Sequence, residues 1–487
     1  MTLDYDVVVV GCGIAGLSAA VAAAEGGAKV AVLDRASFDE RGGNTRWTEA
    51  FMRMKSIDEV ADDFAEHFMD NAGSHLDPEI IKEAARPYED WSPIVKAHGF
   101  TDPEVIGRLV EDAPSTLNWL TGLGITFTDM PTYLLTQSTT RICPIGGGLA
   151  LVEVLTKKAE DLGVTFHFET AARRLTQDAL GTVTGLLADN AKGEKLAFTG
   201  KVILACGGYQ GNAEMQARYF GERARYIRPI ARGGYYNRGE GIQMALDVGA
   251  ATCGDFSEYH AEPIDPRSGV SEPIVFNFPY GILVDTSGRR FIDEASHTVD
   301  FIYENVARQI NKLPGGMAWL ITDARLNEVP NWQRSVRSDQ KPIEATSIAE
   351  LAEKIGLDAA ALGATVTAFN AATREGSFNP LQCDGLATEG LTPPKSNWAL
   401  PLASAPFKAW PVTSAVCFTF GGLRCNANAE VLNHDGRAID NLYAAGELTG
   451  IYYKRYTGAT SVLRGAVFGR IAGRLAAEGS RKAASAA

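Results

Sequence analysis

The chain has 487 residues, 45% of them hydrophobic and 22% charged, which is enough to bury a large core and reads as two domains. Its net charge of −13 argues against nucleic acid and anionic membrane surfaces as partners, and any anionic substrate needs local arginines to hold it against that field. Seven scattered cysteines without a Cys-x-x-Cys pair exclude zinc-knuckle, iron–sulfur and haem-attachment patterns, give no expected metal site, and suit reduced thiols in a cytoplasmic protein.

Tyr5 to Val10 is a predicted strand whose four valines mark it as buried, and Gly11-Cys-Gly-Ile-Ala-Gly16 follows at once. Leu17 to Gly26 is Ala-rich and predicts a helix, Lys29 to Leu33 predicts a second strand, and Asp34 closes it. This is the βαβ dinucleotide fingerprint in its required setting. Gly11 permits the tight turn, Gly13 lets backbone approach a pyrophosphate, and Gly16 lets helix pack on strand. The helix N-terminus then faces the phosphates, with Ile14 and Ala15 in the glycine turn before it as expected cofactor contacts. Asp34, with Arg35 beside it, is placed to accept from a ribose hydroxyl. Val7 to Ala24 is apolar enough to mimic a membrane segment, but the glycine fingerprint makes it strand and helix. No other stretch is long and apolar enough to span a bilayer.

Arg41-Gly-Gly-Asn-Thr45 is a loop whose amides at Gly42, Gly43, Asn44 and Thr45 can reach a flavin or its diphosphate. Ser56 to Gly124 shows helical periodicity, with Trp91, Trp119 and Leu120 as expected core. Gly146-Gly147-Gly148 opens a helix to about Leu162 and offers free amides to an anion or cofactor. Strands are predicted at Val164 to Phe168, Thr182 to Asp189 and Lys201 to Leu204, the last running into Ala205-Cys-Gly207-Gly208. From about Tyr259 the alternation stops, and Pro, Asp and aromatic residues become frequent. Helices are predicted at Val299 to Ile310, Ser347 to Ile355 and Asp358 to Thr373, followed by a loop-rich stretch from Asn379 to Pro406. At Asn441 to Gly446 the strand-plus-glycine style returns, with Glu447 next. A helix from Ala459 to Gly479, opening on Thr460, Ser461 and Val462, ends the fold before a frayed tail. A dinucleotide lying extended across a sheet needs small residues at several strand ends. Gly11, Gly207 with Gly208, and Gly446 supply three, which fits FAD better than NAD.

Gly11–Gly16 with Asp34, Gly42-Gly43-Asn44, Gly207-Gly208, Gly281-Ile-Leu-Val-Asp285 with Arg290-Phe-Ile-Asp-Glu294, and Ala445-Gly446-Glu447 resemble the flavoprotein family of fumarate reductase and succinate dehydrogenase over essentially the whole chain. Arg41 to Thr45, Cys383 to Trp398, Phe418-Thr-Phe420 and Tyr456-Thr-Gly458 look most like its tricarballylate dehydrogenases. The resemblance implies an α/β fold: a Rossmann-type, glutathione-reductase-like FAD-binding domain (1–258 and 372–487) with an inserted α+β capping domain (259–371). It also implies bound FAD and hydride transfer between flavin N5 and a C–C bond beside a carboxylate or carbonyl. Members with covalent flavin attach it to a histidine, and Asn44 falls there, so non-covalent FAD is expected. Phe418 stands where fumarate reductases have a carboxylate-binding histidine. Arg455 or Tyr456 replaces their C-terminal arginine clamp, and Arg325 lies two positions before their proton-shuttling arginine.

On this reading His260, Arg455 and Tyr456 hold the substrate, and Arg325, supported by Glu294, handles the proton. Arg464 reads as structural, and a structural role for His260 or a solvated hairpin at Arg290 are the bland alternatives. The expected substrate is a polycarboxylate such as tricarballylate, with electrons passing to an acceptor that the sequence does not identify. The alternative is a cyclic ketone or 3-ketosteroid, because Phe418, Phe420 and the tyrosines from Tyr452 to Tyr456 make the pocket less cationic. A flavin-binding electron-transfer subunit is the reading from another class.

Overall fold

The structure is a computed structural model that describes residues 2–71, 80, 82–83, 86–97, 102–129 and 141–484. Two sheets organise it. The first has eight strands, ordered Glu430–Leu432, Ala438–Ala444, Lys195–Leu204, Thr2–Val10, Val30–Leu33 and Thr165–His167, with the hairpin Thr170–Gln177 and Val183–Asn190 attached to Lys195–Leu204. The four central neighbours run parallel: Val7 to Val10 pair with Val30 to Leu33 on one side and with Lys201 to Leu204 on the other. A parallel strand covered on both faces reads as a continuous apolar run, which is why Val7, Val8 and Val9 are all fully buried. Val7 and Val9 face one core and Val8 and Val10 the other.

The first helix, Ile14–Glu25, begins three residues before the expected Leu17, with Gly13 as its N-cap. It packs on the sheet beside the long helix Ser461–Ala484, which itself reaches the strands Ala438–Ala444 and Thr2–Val10. That last helix continues past Gly479, where a frayed tail was expected. Small residues make the crossing close: a Cβ on Gly469 or Gly473 would run into the backbone carbonyl of Ala15 or Ala19. Between the first two βαβ strands and the rest, residues 56–124 include the helix Pro103–Gly122, started by Asp102, whose carboxylate accepts from Glu104 N at 2.9 Å. Trp91 and Leu120 are buried as expected, whereas Trp119 is only half-buried and donates to Glu25 at 3.0 Å. Parts of this stretch lie outside the described residues.

The second sheet has six strands around Phe407–Thr419, which pairs with Arg228–Pro229, Tyr259–Ile264, Met317–Thr322 and Ile343–Ala345, while Ile282–Val284 adds to Met317–Thr322. Alternation sets its two faces. Ala318, Leu320, Trp410 and Val412 pack with helix Val299–Lys312; Trp319, Ile321, Phe407 and Ala409 pack with helices Ile348–Ile355 and Ala359–Ala372. Ser347 and Asp358 cap the last two helices through their side-chain oxygens. The 13-residue strand Phe407–Thr419 lies beyond residue 371, so this sheet does not close where the inserted segment was expected to end. Sequence texture misses this because 379–406 reads as loop on either assignment. No helix among the described residues is long and apolar enough to cross a membrane.

Candidate active site

A continuous cavity of about 280 Å3 runs along the carboxyl ends of the first sheet's strands and ends against the second sheet. Its long arm is built from turn backbone. Gly11 has φ +107°, and a Cβ there would meet Ala205 and Cys206 within 3 Å; Gly16 is held against Gly11 in the same way. Gly13 meets nothing closer than 3.4 Å and lies open to the cavity. Asp34 accepts from Cys12 N and Ala36 N, both at 2.8 Å, which fixes its carboxylate at the strand end. Burial raises the Asp34 pKa, and those two amides oppose the shift. Thr45 Oγ accepts from Ile14 N at 3.0 Å and so ties the second loop to the helix start. Arg35 pairs with Glu240 at 2.5 Å on the rim.

The expected cofactor residues divide. Gly11, Gly13, Ile14, Ala15, Asp34, Arg35, Gly42, Gly43, Asn44, Thr45, Ala205, Gly207, Gly446, Glu447, Ser461 and Val462 line the cavity. Gly16, Gly147, Gly148, Gly208 and Thr460 stand behind it. Gly148 packs on the Thr45–Thr48 turn and donates its amide to Thr48 O at 2.7 Å, so the expected free helix amide is already paired there. Gly208 is wedged against Thr419 and Glu447. Glu447 accepts from Thr419 N at 3.0 Å, Gln210 at 3.1 Å and Asn237 at 3.2 Å, a brace for the strand ends. Asn44 donates to Cys417 O at 2.8 Å while its Oδ1 is buried without a partner. Arg464 has Nε and Nη2 in the same condition, with Nη1 bonded to Thr449 O. Unfilled buried polar atoms beside a glycine-walled trough suit a polar, extended dinucleotide, so the residues fit FAD.

The short arm carries different chemistry. His260, Glu262, Glu272, Tyr303, Arg337, Cys417, Phe418 and Tyr456 line it, with Arg141 and Glu49 at its edge. His260 Nε2 is 2.8 Å from the Tyr303 hydroxyl, and its ring centroid lies 4.5 Å from that of Tyr456 and 5.0 Å from that of Phe418. Burial, helped by Arg308, lowers the His260 pKa to about 3, so the ring is neutral. Glu262 and Glu272 are pushed up, to about 8 and about 7, mainly by burial; Glu272 adds to the shift of Glu262 and Arg337 opposes both. Arg337 pairs with Glu272 at 2.9 Å and with Glu49. The Tyr456 hydroxyl accepts from Thr460 N at 3.0 Å and Ser461 N at 3.1 Å, the first amides of the last helix, and donates to Ser461 Oγ at 3.1 Å.

Of the expected catalytic set, the structure brings together His260 and Tyr456 only. Arg455 is exposed at the surface, because Tyr456 takes the inward position beside it. Glu294 is fully buried inside the second unit, where it accepts from Leu283 N at 2.9 Å and pairs with Arg290 at 2.6 Å. Arg325 sits in the turn Ala324–Glu328 behind Asp323 and does not reach the cavity. The tricarballylate expectation therefore gains no arginine clamp from these residues. Sequence reasoning missed Glu262, Glu272, Tyr303, Arg337 and the cavity-facing Arg464. Glu262 was within reach, two positions from His260 on one strand; Glu272, Tyr303 and Arg337 come from separate segments that only the second sheet assembles.

Comparison with known proteins agrees with this trough. The family model described as FAD binding domain (FAD_binding_2) matches residues 6–463. The chain is 28% identical to NADH:fumarate oxidoreductase of Klebsiella pneumoniae (strain 342) over 98% of its own length, and spans about half (48%) of that protein. Among solved structures it overlays the open conformation of a flavocytochrome c3 fumarate reductase with a TM-score of 0.76 at 24% identity, covering 98% of this chain and 78% of that one, a likeness of fold. It also overlays the 3-ketosteroid-Δ4-(5α)-dehydrogenase of Rhodococcus jostii RHA1, in complex with 4-androstene-3,17-dione, with a TM-score of 0.68 at 25% identity over 97% of both chains. With its glycine-walled trough and a matched span of 6–463, the chain belongs to the FAD_binding_2 family, binds FAD, and is an FAD-dependent oxidoreductase.

Proposed function

We propose that the protein moves hydrogen across a C–C bond beside the carbonyl of a neutral substrate, a cyclic ketone rather than a polycarboxylate. The observation that carries this reading is the charge of the short arm. Arg337 is neutralised by Glu272 and Glu49, Arg141 faces Asp300 at 3.6 Å, and Arg455 lies outside. What remains is a neutral imidazole, two carboxyls and the rings of Phe276, Tyr303, Phe418 and Tyr456. A polycarboxylate placed there would meet two acids and, among the described cavity residues, only the guanidinium of Arg464 as a cation not held by a carboxylate, too little charge for several carboxylates, whereas a cyclic ketone would meet aromatic faces and hydrogen-bond donors. The ketosteroid-dehydrogenase neighbour is consistent with such a substrate.

Bound FAD supplies a two-electron acceptor for this chemistry. The Tyr456 hydroxyl, fixed by two helix amides, turns its hydrogen from Ser461 to the substrate carbonyl and so holds the charge of the forming enolate. Asn44 occupies the loop position of a flavin-linking histidine, and on that ground the cofactor is held without a covalent bond. The second-sheet unit serves as the cap, bridged to the first by Arg141–Asp300 and Arg337–Glu49. The test is anaerobic mixing of purified holoprotein with cyclic ketones, 3-ketosteroids, tricarballylate and succinate while the visible flavin band is followed. Bleaching by ketones supports the reading; bleaching by tricarballylate alone overturns it.

A further inference from the structure

The reaction needs a group that takes a proton from the carbon beside the carbonyl, and none of Arg325, Glu294 or Arg455 reaches the cavity. We propose that Tyr303 is the catalytic acid–base, that His260 relays its proton, and that Glu262 is the positioning residue that balances the charge on His260. This rests on the ketone reading for its substrate, but its residues are chosen by geometry alone.

Tyr303 projects from helix Val299–Lys312 and His260 from strand Tyr259–Ile264, and their polar atoms meet at 2.8 Å inside the cavity wall. A neutral phenol cannot accept a proton unless it loses its own at the same moment. His260 Nε2 is the acceptor in place for that. In the oxidative direction the substrate α-C–H bond breaks, its proton goes to Tyr303 oxygen, and the Tyr303 proton goes to His260 Nε2. The electron pair of the broken bond forms the C=C bond, and bound FAD would supply the acceptor for the β-hydrogen and its pair. Reduction runs the same proton path backwards.

The result is a buried imidazolium, a state that burial and Arg308 both disfavour. Glu262 Oε1 stands 3.9 Å from Nε2, close enough to pair with an imidazolium. Of the other charged groups around the dyad, Arg464 keeps Nε and Nη2 unpartnered, with its guanidinium 5.9 Å from the Phe418 ring, and the rest are matched. Arg308 is held by Glu304 at 2.7 Å and Glu258 at 2.9 Å, and Arg141 faces Asp300. Glu272 is held by Arg337, which also meets Glu49. The thiol of Cys417, within 4.8 Å of the His260 and Glu262 ligand atoms, is pushed up by burial and by Glu262 and stays neutral. His260 Nδ1 has no partner, so no second hydrogen bond locks the tautomer against a proton on Nε2.

Glu262 can balance the imidazolium only when ionised, and its carboxyl is pushed up to about 8. Oxidation by the wild-type holoenzyme should therefore quicken as pH rises through that value. The experiment measures flavin reduction by a ketone that bleaches the wild type, from about pH 6 to about pH 10, for wild type, Tyr303→Phe and Glu262→Gln. Tyr303→Phe is expected to lose about 100-fold or more in the reduction rate at an unchanged flavin content. Glu262→Gln is expected to lose the alkaline rise and give a flat pH profile. Thermal melting without substrate gives a second readout. A carboxyl whose folded pKa is raised stabilises below its unfolded value and loses that stability as pH rises through the folded one. Glu262→Gln should therefore melt with a shallower fall than wild type between the ordinary carboxyl range and about pH 8. Full-rate Tyr303→Phe, or superimposable melting profiles for wild type and Glu262→Gln, overturns the proposal. A wild type that no ketone bleaches overturns the substrate reading alone, since the melting comparison stands without it.

Discussion

At the residue scale, the active end turns on which of two adjacent side chains faces in. Arg455 and Tyr456 compete for one role in the sequence, and the turn before the last helix gives it to Tyr456, whose hydroxyl fills the place where two helix amides converge. Tyr456→Phe removes that acceptor and leaves both amides without it. A loss of about 100-fold in kcat/KM is expected, with FAD content preserved, checked by steady-state kinetics beside flavin absorbance. Arg455→Ala is expected to stay within about twofold of wild type in the same assay, because an exposed side chain contributes little. A large loss in that variant would restore the arginine clamp. Residues in the first βαβ unit were legible because each glycine answers a local demand of chain geometry. Tyr303, Glu272 and Arg337 were not, because nothing local marks a residue whose partner comes from a distant segment.

At the element scale, the two longest-range partners in the first unit are also the closest packed. Helix Ser461–Ala484 lies on helix Ile14–Glu25 through Gly465, Gly469 and Gly473, where a side chain would strike Ile14 or the carbonyls of Ala15 and Ala19. Gly473→Val should force the helices apart, costing about 1–3 kcal/mol, and lower the melting temperature of the holoprotein. The cofactor-facing turn at Ile14 and Ala15 would shift with it, so the FAD dissociation constant should rise in parallel. The comparison of melting with and without added FAD checks both. Element existence followed from pattern: the valine run, the alanine-rich helix and the capped helices after Ser347 and Asp358 were all readable. The second sheet's central strand was not, because Phe407–Thr419 is separated in the chain from most of the strands it pairs with.

At the scale of the whole molecule, buried ionisable groups set how stability responds to pH. Glu262, Glu272 and Glu304 all have raised pKa values, with Glu304 pushed to about 7 by burial. Their stabilisation is complete below the unfolded carboxyl range and is lost as pH climbs through their folded values. His260, lowered to about 3, works in the opposite sense: it stabilises above the ordinary imidazole pKa and loses that contribution as pH falls. Between the ordinary carboxyl range and about pH 8 three such groups lose stability against one histidine that gains it, so the melting temperature should fall from about pH 5 toward about pH 8, as a calorimetric pH series will show. A profile rising between about pH 5 and about pH 8 would contradict the burial of these carboxyls.

The pairing of helix Ile14–Glu25 with helix Ser461–Ala484 also orders events during synthesis. The fingerprint that grips the pyrophosphate is made early, but the surface that steadies its helix is made after every other element described here. A nascent chain carrying only the first βαβ unit thus displays an apolar alanine face with nothing against it. Flavin capture is consequently a late event, and a ribosome-stalled chain ending before Ser461 should emerge colourless and in need of a chaperone.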